Sequence, residues 1–166
     1  MWVTYTDSHG LGSRAHAEEF FGDLVVDLEK ASDVSGGTAQ PKYGYSGITI
    51  FLASDRSGIN ARDVEALRIG YSSTGPLQLL LEQEDTPPGE DFRTPLTETS
   101  FPQTVLFKLD QATFRQPPWA QKSRSLDAHR LIGIKFELYG NSRAAAHLVL
   151  RDVNLEGRNV CILKRS

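Results

Sequence analysis

The sequence holds one cysteine, Cys161, which excludes an internal disulfide and a multi-cysteine zinc site. Histidine is sparse. His9, His16, His129 and His147 are scattered, and none pairs at i, i+4 around an acid as helical zinc ligands do. No G-x-S-x-G elbow is present, because Gly44-Tyr45-Ser46-Gly47 has the wrong spacing for a nucleophilic serine. No phosphate-binding glycine loop precedes a helix. Basic excess is missing too: 18 Lys and Arg stand against 21 Asp and Glu, a formal net charge of -3. The expectation is therefore no nucleic-acid partner and no anionic membrane. No apolar run approaches the ~20 residues that cross a bilayer. A charged n-region followed by an apolar stretch is absent at the N-terminus, so no signal peptide is expected in this chain. If the native protein is secreted, the chain is a mature fragment or an excised domain.

What is present is alternation. The stretch Gln103 to Tyr139 organises the rest. Val105, Phe107 and Leu109 alternate with Leu106 and Lys108, which is strand spacing with one face buried. Further on, Ile132, Ile134, Phe136 and Leu138 alternate with Gly133, Lys135, Glu137 and Tyr139. Between them lies a loop with Phe114 near its start and Pro117-Pro118 before Trp119. It is too long for a tight hairpin and reads as a functional loop or as an arch between sheets.

Other strands are expected at Trp2–Thr6, Leu24–Leu28, Ile48–Leu52, Val64–Tyr71, Leu77–Leu81 and His147–Leu155, with a short one at Val160–Leu163. Ala15 to Phe21 reads as a short helical turn. Gly36-Gly37 marks a turn within Ser32–Gln40. Val64–Tyr71 and Leu77–Leu81, joined across Ser72-Ser73-Thr74-Gly75-Pro76, read as an antiparallel hairpin. Phe92–Leu96 reads as an edge strand, since Pro95 cannot serve a central one. About nine or ten short strands with almost no helix predict an all-β fold, a two-sheet antiparallel β-sandwich or jelly roll. The 166 residues suit one domain spanning 1–166, with no linker or internal repeat.

In such a sandwich each strand turns one set of side chains away from the core. That set holds Arg68, Gly70, Gln78, Leu80, Glu82, Lys108, Lys135, Glu137 and Tyr139. Arg, Gln and Glu can each engage paired hydroxyls through two parallel hydrogen bonds. Tyr45, Phe92, Trp119 and Tyr139 fall at strand ends or in loops, where they would rim such a face. Stacking rings beside planar polar groups suit a pyranose, whose C–H face packs on an aromatic ring. The plainer alternatives stand beside this one. Outward charges can be merely solvated. Trp119 can fold back to cap the core, and Tyr43 and Tyr45 can pack a turn. For catalysis, Glu82 with Glu137 is the one carboxylate pair to consider as a glycosidase couple.

These residues carry a resemblance. Gly44-Tyr45-Ser46-Gly47 enters a strand. Asp63-Val64-Glu65-Ala66-Leu67-Arg68-Ile69 follows, then Phe92-Arg93-Thr94-Pro95 and Val105 to Phe114. Ile132-Gly133-Ile134-Lys135-Phe136 and Leu148 to Leu155 come last. In order and spacing the chain from Tyr43 to Leu155 resembles galactose-binding-like jelly-roll carbohydrate-binding modules, of family 11 and of the related complex I intermediate-associated domain.

The resemblance implies non-catalytic binding of a polysaccharide or oligosaccharide, β-glucan among the candidates. The sugar would lie in a concave groove, on a secreted monomer appended to a glycoside hydrolase. The alternative it implies is a protein-interaction or assembly-factor domain of the same fold. Carried over by position, it makes Tyr45, Trp119 and Tyr139 stacking rings. Arg68, Gln78, Glu82, Arg93 and Arg115 become hydroxyl-binding residues, with Phe92 beside them. The family's last strand reads apolar–Asp–Asp/Asn–apolar, and its first acid often holds a structural calcium. Here Arg151 stands in that place with Asp152 after it, and the Trp usual before the Gln103 strand is replaced by Phe101-Pro102. A fixed guanidinium is no oxygen ligand, so no cofactor is expected.

Overall fold

The computed structural model describes residues 1–7, 10–34, 42–53, 55, 59, 64–140 and 142–157. Ten strands occur among them: β1 (Trp2–Thr6), β2 (Arg14–Phe20), β3 (Asp23–Lys30), β4 (Ser46–Phe51), β5 (Val64–Ser73), β6 (Leu77–Gln83), β7 (Phe92–Leu96), β8 (Thr99–Lys108), β9 (Leu131–Leu138) and β10 (Ala144–Gly157). They form two five-stranded antiparallel sheets. The front sheet runs β1-β4-β9-β6-β7 and the back sheet β2-β3-β10-β5-β8. The expected all-β jelly-roll sandwich is what forms.

Alternation explains the layering. On the front sheet Leu77, Leu79 and Leu81 of β6 lie opposite Leu138, Phe136 and Ile134 of β9, and all six are buried. Ile48 and Ile50 of β4 continue the same rows. The back sheet answers with Leu67, Ile69 and Tyr71 of β5 and with Leu148, Leu150, Val153 and Leu155 of β10. Each buried Leu or Ile contributes about 1.5–3 kcal/mol. A one-residue slip would turn a whole strand's apolar set to water, so register is strongly fixed.

Two expectations need correction. β5 and β6 do not form a hairpin. At Gly75-Pro76 the chain changes sheets, β5 pairing with β8 and β10 while β6 pairs with β7 and β9. Gly75 has φ +83°, and a Cβ there would lie 2.3 Å from the Ala145 carbonyl oxygen. This crossing therefore admits only glycine. The residues read as a helical turn form edge strand β2. Its Ala15 and Ala17 pack on the core, and Arg14, His16 and Glu18 face outward. The strand expected at Val160–Leu163 and the turn at Gly36-Gly37 lie outside the described residues.

The stretch from Leu109 to Asp127 is the arch between sheets, leaving β8 at the back and entering β9 at the front. Phe114 anchors it in the core at 0% exposure, its ring centroid 6.2 Å from that of Phe107. Further along it, Asp127 caps a single 3-10 turn, Ala128–Arg130, by accepting from the His129 backbone N–H.

The β2–β3 hairpin closes through two residues, Phe21 (φ +50°) and Gly22 (φ +85°). Positive φ at both positions is a type I′ requirement that favours Asn-Gly. Phe21 meets it with an exposed ring and a left-handed backbone that an aromatic residue seldom adopts. Phe21→Asn should therefore stabilise the fold by about 1 kcal/mol. By thermal unfolding that is a Tm rise of about 2–4 °C; an unchanged or lowered Tm would show that the ring contact with Phe20 outweighs the backbone relief.

Candidate binding face

The outer face of the front sheet is built in rows fixed by strand register. One row carries Tyr5, Gly47, Glu137, Gln78 and Pro95 across β1, β4, β9, β6 and β7. The next carries Val3, Thr49, Lys135, Leu80 and Arg93. An isolated backbone bridge extends it from Arg93 to Arg115 of the arch, with N–H···O distances of 2.9 and 3.0 Å. A third row brings Phe51, Gly133 and Glu82 together. Five strands at ~4.8 Å make a face ~19 Å from β1 to β7.

Aromatic rings occupy two opposite borders of this face. Tyr5 and Tyr45 meet with ring centroids 6.2 Å apart. Tyr5 lies across Gly47, where a Cβ would come within 2.5 Å of its ring and hydroxyl. Tyr139 follows Leu138 on the outward side of β9 and is exposed. At the far edge stands Trp119, 62% exposed, so it does not cap the core. Its Nε1 donates to the Gly89 carbonyl at 3.1 Å, and the Arg93 guanidinium lies 4.9 Å from its ring centroid.

Between the rings lie three polar clusters. Arg93 donates to Gln78 Oε1 at 3.1 Å and to Gly89 O at 3.0 Å. Lys135 Nζ binds Asp91 at 2.9 Å and Glu82 at 3.4 Å. Tyr5 donates its hydroxyl hydrogen to Glu137 at 3.1 Å. Leu80 and Thr49 lie buried beneath these side chains, so the face is a platform covered by interlocked polar groups.

Electrostatics set the protonation states. Burial, with the Glu137 charge adding to it, pushes the Tyr5 phenol well up, so Tyr5 stays a donor. Burial also pushes the Glu137 carboxyl up, against the opposing pull of Arg93 and of the Tyr5 hydrogen bond. For Lys135 burial works downward, but Asp91 and Glu82 outweigh it and the ammonium ends up raised. Arg93 and Arg115, two cations directly opposite each other, would repel. Glu137 and Asp91 supply the negative field around Arg93.

Of the residues expected to bind, Tyr45, Gln78, Glu82, Arg93, Arg115, Trp119 and Tyr139 are brought to this one side. Two are not. Phe92 is buried at 1% exposure; it shares the inward parity of Thr94 and Leu96, so its ring fills the core and cannot rim a site. Arg68 lies on β5 in the back sheet. There it pairs with Asp152 at 3.0 Å and with Glu156. Tyr5 and Asp91 were missed. Tyr5 had a signal, the alternation of Trp2–Thr6 that sets it opposite in parity to Trp2. Asp91 had none, because its role depends on Lys135 arriving from another strand.

Nor do the two glutamates form a glycosidase couple. Glu137 is opposite Gln78 and Glu82 opposite Gly133, an offset of four residues, or ~13 Å along the strand. Working pairs hold their carboxyl groups about 5–9.5 Å apart. Lys135 stands between them and binds Glu82.

The back sheet carries an open depression of 380 Å³ lined by Gly70, Pro102, Gln103, Thr104, Arg151 and Asp152. Arg151 is the extra residue of a bulge in β10, and it reaches Asp23 at 3.4 Å. Asp152 accepts from Arg68 and, at 3.2 Å, from Asn154. Carboxylates already bonded to guanidinium groups are poor calcium ligands. A buried cation serves the loops at the far end of β3. Lys30, 1% exposed, donates to the carbonyls of Ala31 and Ser142 and to Asp33 at 2.8, 3.2 and 3.2 Å. The donor set therefore does not fit a structural calcium. Among the described residues no group of three His, Cys, Asp or Glu side chains is placed to hold a metal ion.

Solved structures share this architecture. A family 11 carbohydrate-binding module from Clostridium thermocellum, in complex with a β-1,3-1,4-mixed-linked tetrasaccharide, superposes with a TM-score of 0.67 at 18% identity over 94% of this chain and 88% of that one. The fold is that of the family 11 module. A CBM4 structure matches at TM-score 0.56 and 24% identity, over 95% of this chain and 94% of the other. The agarase AgWH50C matches at 0.54 and 12% identity, over 89% of this chain but only 21% of the enzyme. No protein-family model and no curated protein sequence matches the chain. At these identities the likeness to the family 11 module is one of fold, and the face described above has to speak for itself.

The raised Glu137 carboxyl makes a pH prediction. The folded state holds its proton at a pH where the unfolded chain has released it, so stability falls as pH rises through that interval. Glu137→Gln removes the penalty. Its Tm should exceed that of the parent at pH 7, and the difference should close as pH falls toward the ordinary carboxylate value of about 4.3. A difference that stayed constant with pH would show that Glu137 is not held against its charge.

Proposed function

We propose that the chain is a non-catalytic carbohydrate-binding module that holds a polysaccharide chain on the outer face of its front sheet. The observation that carries this reading is the arrangement of rings. Tyr5 with Tyr45 marks the β1 border, Tyr139 stands at the end of the central strand β9, and exposed Trp119 marks the β7 border. Arg93, Gln78, Lys135, Glu82 and Glu137 fill the space between. A sugar chain crossing from the tyrosines to Trp119 would stack at each end and meet bidentate donors and acceptors along the way.

The charges support a ligand of this kind. Three acids, Glu82, Asp91 and Glu137, lie among the bases Lys135, Arg93 and Arg115, so the face has no field of one sign to draw in a polyanion. The dispersed glutamates favour binding over hydrolysis. The family 11 relative bound to a mixed-linked tetrasaccharide makes β-glucans the first ligands to try. The agarase, in which the matching region is about a fifth of the chain, supports a module working within a larger hydrolase. A protein-interaction role would use the β8 edge, where Phe101 and Leu106 are exposed. Pro102 interrupts that edge and works against strand addition.

Affinity is expected in the micromolar to millimolar range, since each hydroxyl gives up water to bind and gains about 1 kcal/mol net. Affinity electrophoresis on soluble glucans, mannans and xylans tests the reading. The parent should be retarded on at least one glycan. Trp119→Ala and Tyr5→Ala should each weaken binding about tenfold, roughly 1.4 kcal/mol. Arg68→Ala, on the back sheet, should migrate as the parent does. A parent that runs unretarded on every glycan overturns the proposal.

A further inference from the structure

Trp119 stands on an arch with no helix or strand between Lys108 and Ala128, yet its ring is held against the edge of the front sheet. Beside the ring's hydrogen-bond partner Gly89 stands Glu90, one residue before Asp91. Its side chain is 8% exposed. One carboxylate oxygen accepts the Gln121 backbone N–H at 3.1 Å, and the other accepts Arg124 Nη1 at 2.9 Å. Arg124 is itself tied back to the arch, its backbone N–H donating to Gln116 Oε1. The segment after Trp119 is thus held at two points on one buried carboxylate, and Gln116, before Trp119, is tied to it only through Arg124. The residue before Glu90, Gly89, supplies the carbonyl that takes the indole N–H and an Arg93 N–H.

We propose that the Glu90–Arg124 pair is the positioning device for Trp119: it locks the arch onto the β6–β7 connection and fixes the indole beside Arg93 before any ligand arrives. This deepens the reading given under Proposed function and rests on it for its consequence in binding. A buried ion pair adds little net stability over an apolar pair of similar volume. What it supplies is one geometry, since a carboxylate with a backbone donor on one oxygen and a guanidinium on the other has little freedom left. Backbone bridges between Arg93 and Arg115 and the buried Phe114 hold the near half of the arch independently. The half that carries the tryptophan has Glu90. A ring fixed in advance loses less entropy on stacking, which is where affinity for a weakly held chain is gained.

Two variants test this. Glu90→Gln leaves an acceptor for Gln121 but turns an N–H toward the Arg124 donors. Arg124→Met keeps an apolar stem and removes the charge. Both are made in a Trp2→Phe background, so that Trp119 is the sole tryptophan. Without ligand, both variants should show increased iodide quenching and lower fluorescence anisotropy of Trp119, with the far-ultraviolet circular dichroism of the sandwich retained. With the glycan that retards the parent, both should bind about tenfold more weakly, equivalent to about 1.4 kcal/mol. Unchanged quenching and anisotropy in Arg124→Met would overturn the proposal, as would altered quenching with unchanged glycan affinity. If the parent binds no glycan while the quenching still rises, the clamp stands and the saccharide reading falls.

Discussion

Register on the two central strands of the front sheet is the constraint from which the rest follows. β6 and β9 each bury Leu, Ile or Phe at every second residue, and each lies opposite the other with the apolar sets aligned. Shifting either by one residue would place Gln78 and Glu82, or Lys135 and Glu137, inside the core without partners, at several kcal/mol each. The hydrophobic core thereby decides which polar groups share the outer face. Lys135 reaches Glu82 and Asp91, and Glu137 reaches Tyr5, because the leucines behind them admit one alignment.

Much of this was legible in the sequence, and the misses share a cause. Alternation tells which side of a strand is buried, so the outward positions of Gln78, Leu80, Glu82, Lys135 and Glu137 could be read directly. It does not tell which strand is the neighbour. Val64–Tyr71 and Leu77–Leu81 look like a hairpin because Gly75-Pro76 is good turn chemistry, yet that turn passes the chain from one sheet to the other. Arg68 went with the wrong face for the same reason: it is outward, but on the back sheet. Phe92 was grouped with loop rings although its parity with Thr94 and Leu96 marks it as inward. β2 was hidden by its own weakness, since an edge strand that buries only Ala15 and Ala17 leaves little apolar signal to separate period 2 from period 3.6.

The outer face of the front sheet is also where the molecule departs from what stability alone would select. Arg93 and Arg115 are set side by side by backbone hydrogen bonds. Glu137 is buried far enough that its charge is disfavoured. Trp119 keeps most of its ring in water. The back sheet differs: Arg68 with Asp152 and Glu156, and Arg151 with Asp23, are mutually compensated pairs. Groups held at a cost to stability are thus concentrated among the polar side chains of the front face, while the back-sheet ions are paired.

The arch links these two characters of the molecule. It begins on the back sheet, drops Phe114 into the shared core, and then runs along the open edge of β7, where a sheet would otherwise expose unpaired backbone groups. Arg115 satisfies one pair of those groups through its bridge to Arg93. Covering the edge and presenting Trp119 are therefore one structural act. The segment that protects β7 from pairing with another chain is also the segment that carries a flat apolar ring to the border of the polar platform. A shorter connection between β8 and β9 would leave both the edge bare and the platform without its far aromatic wall.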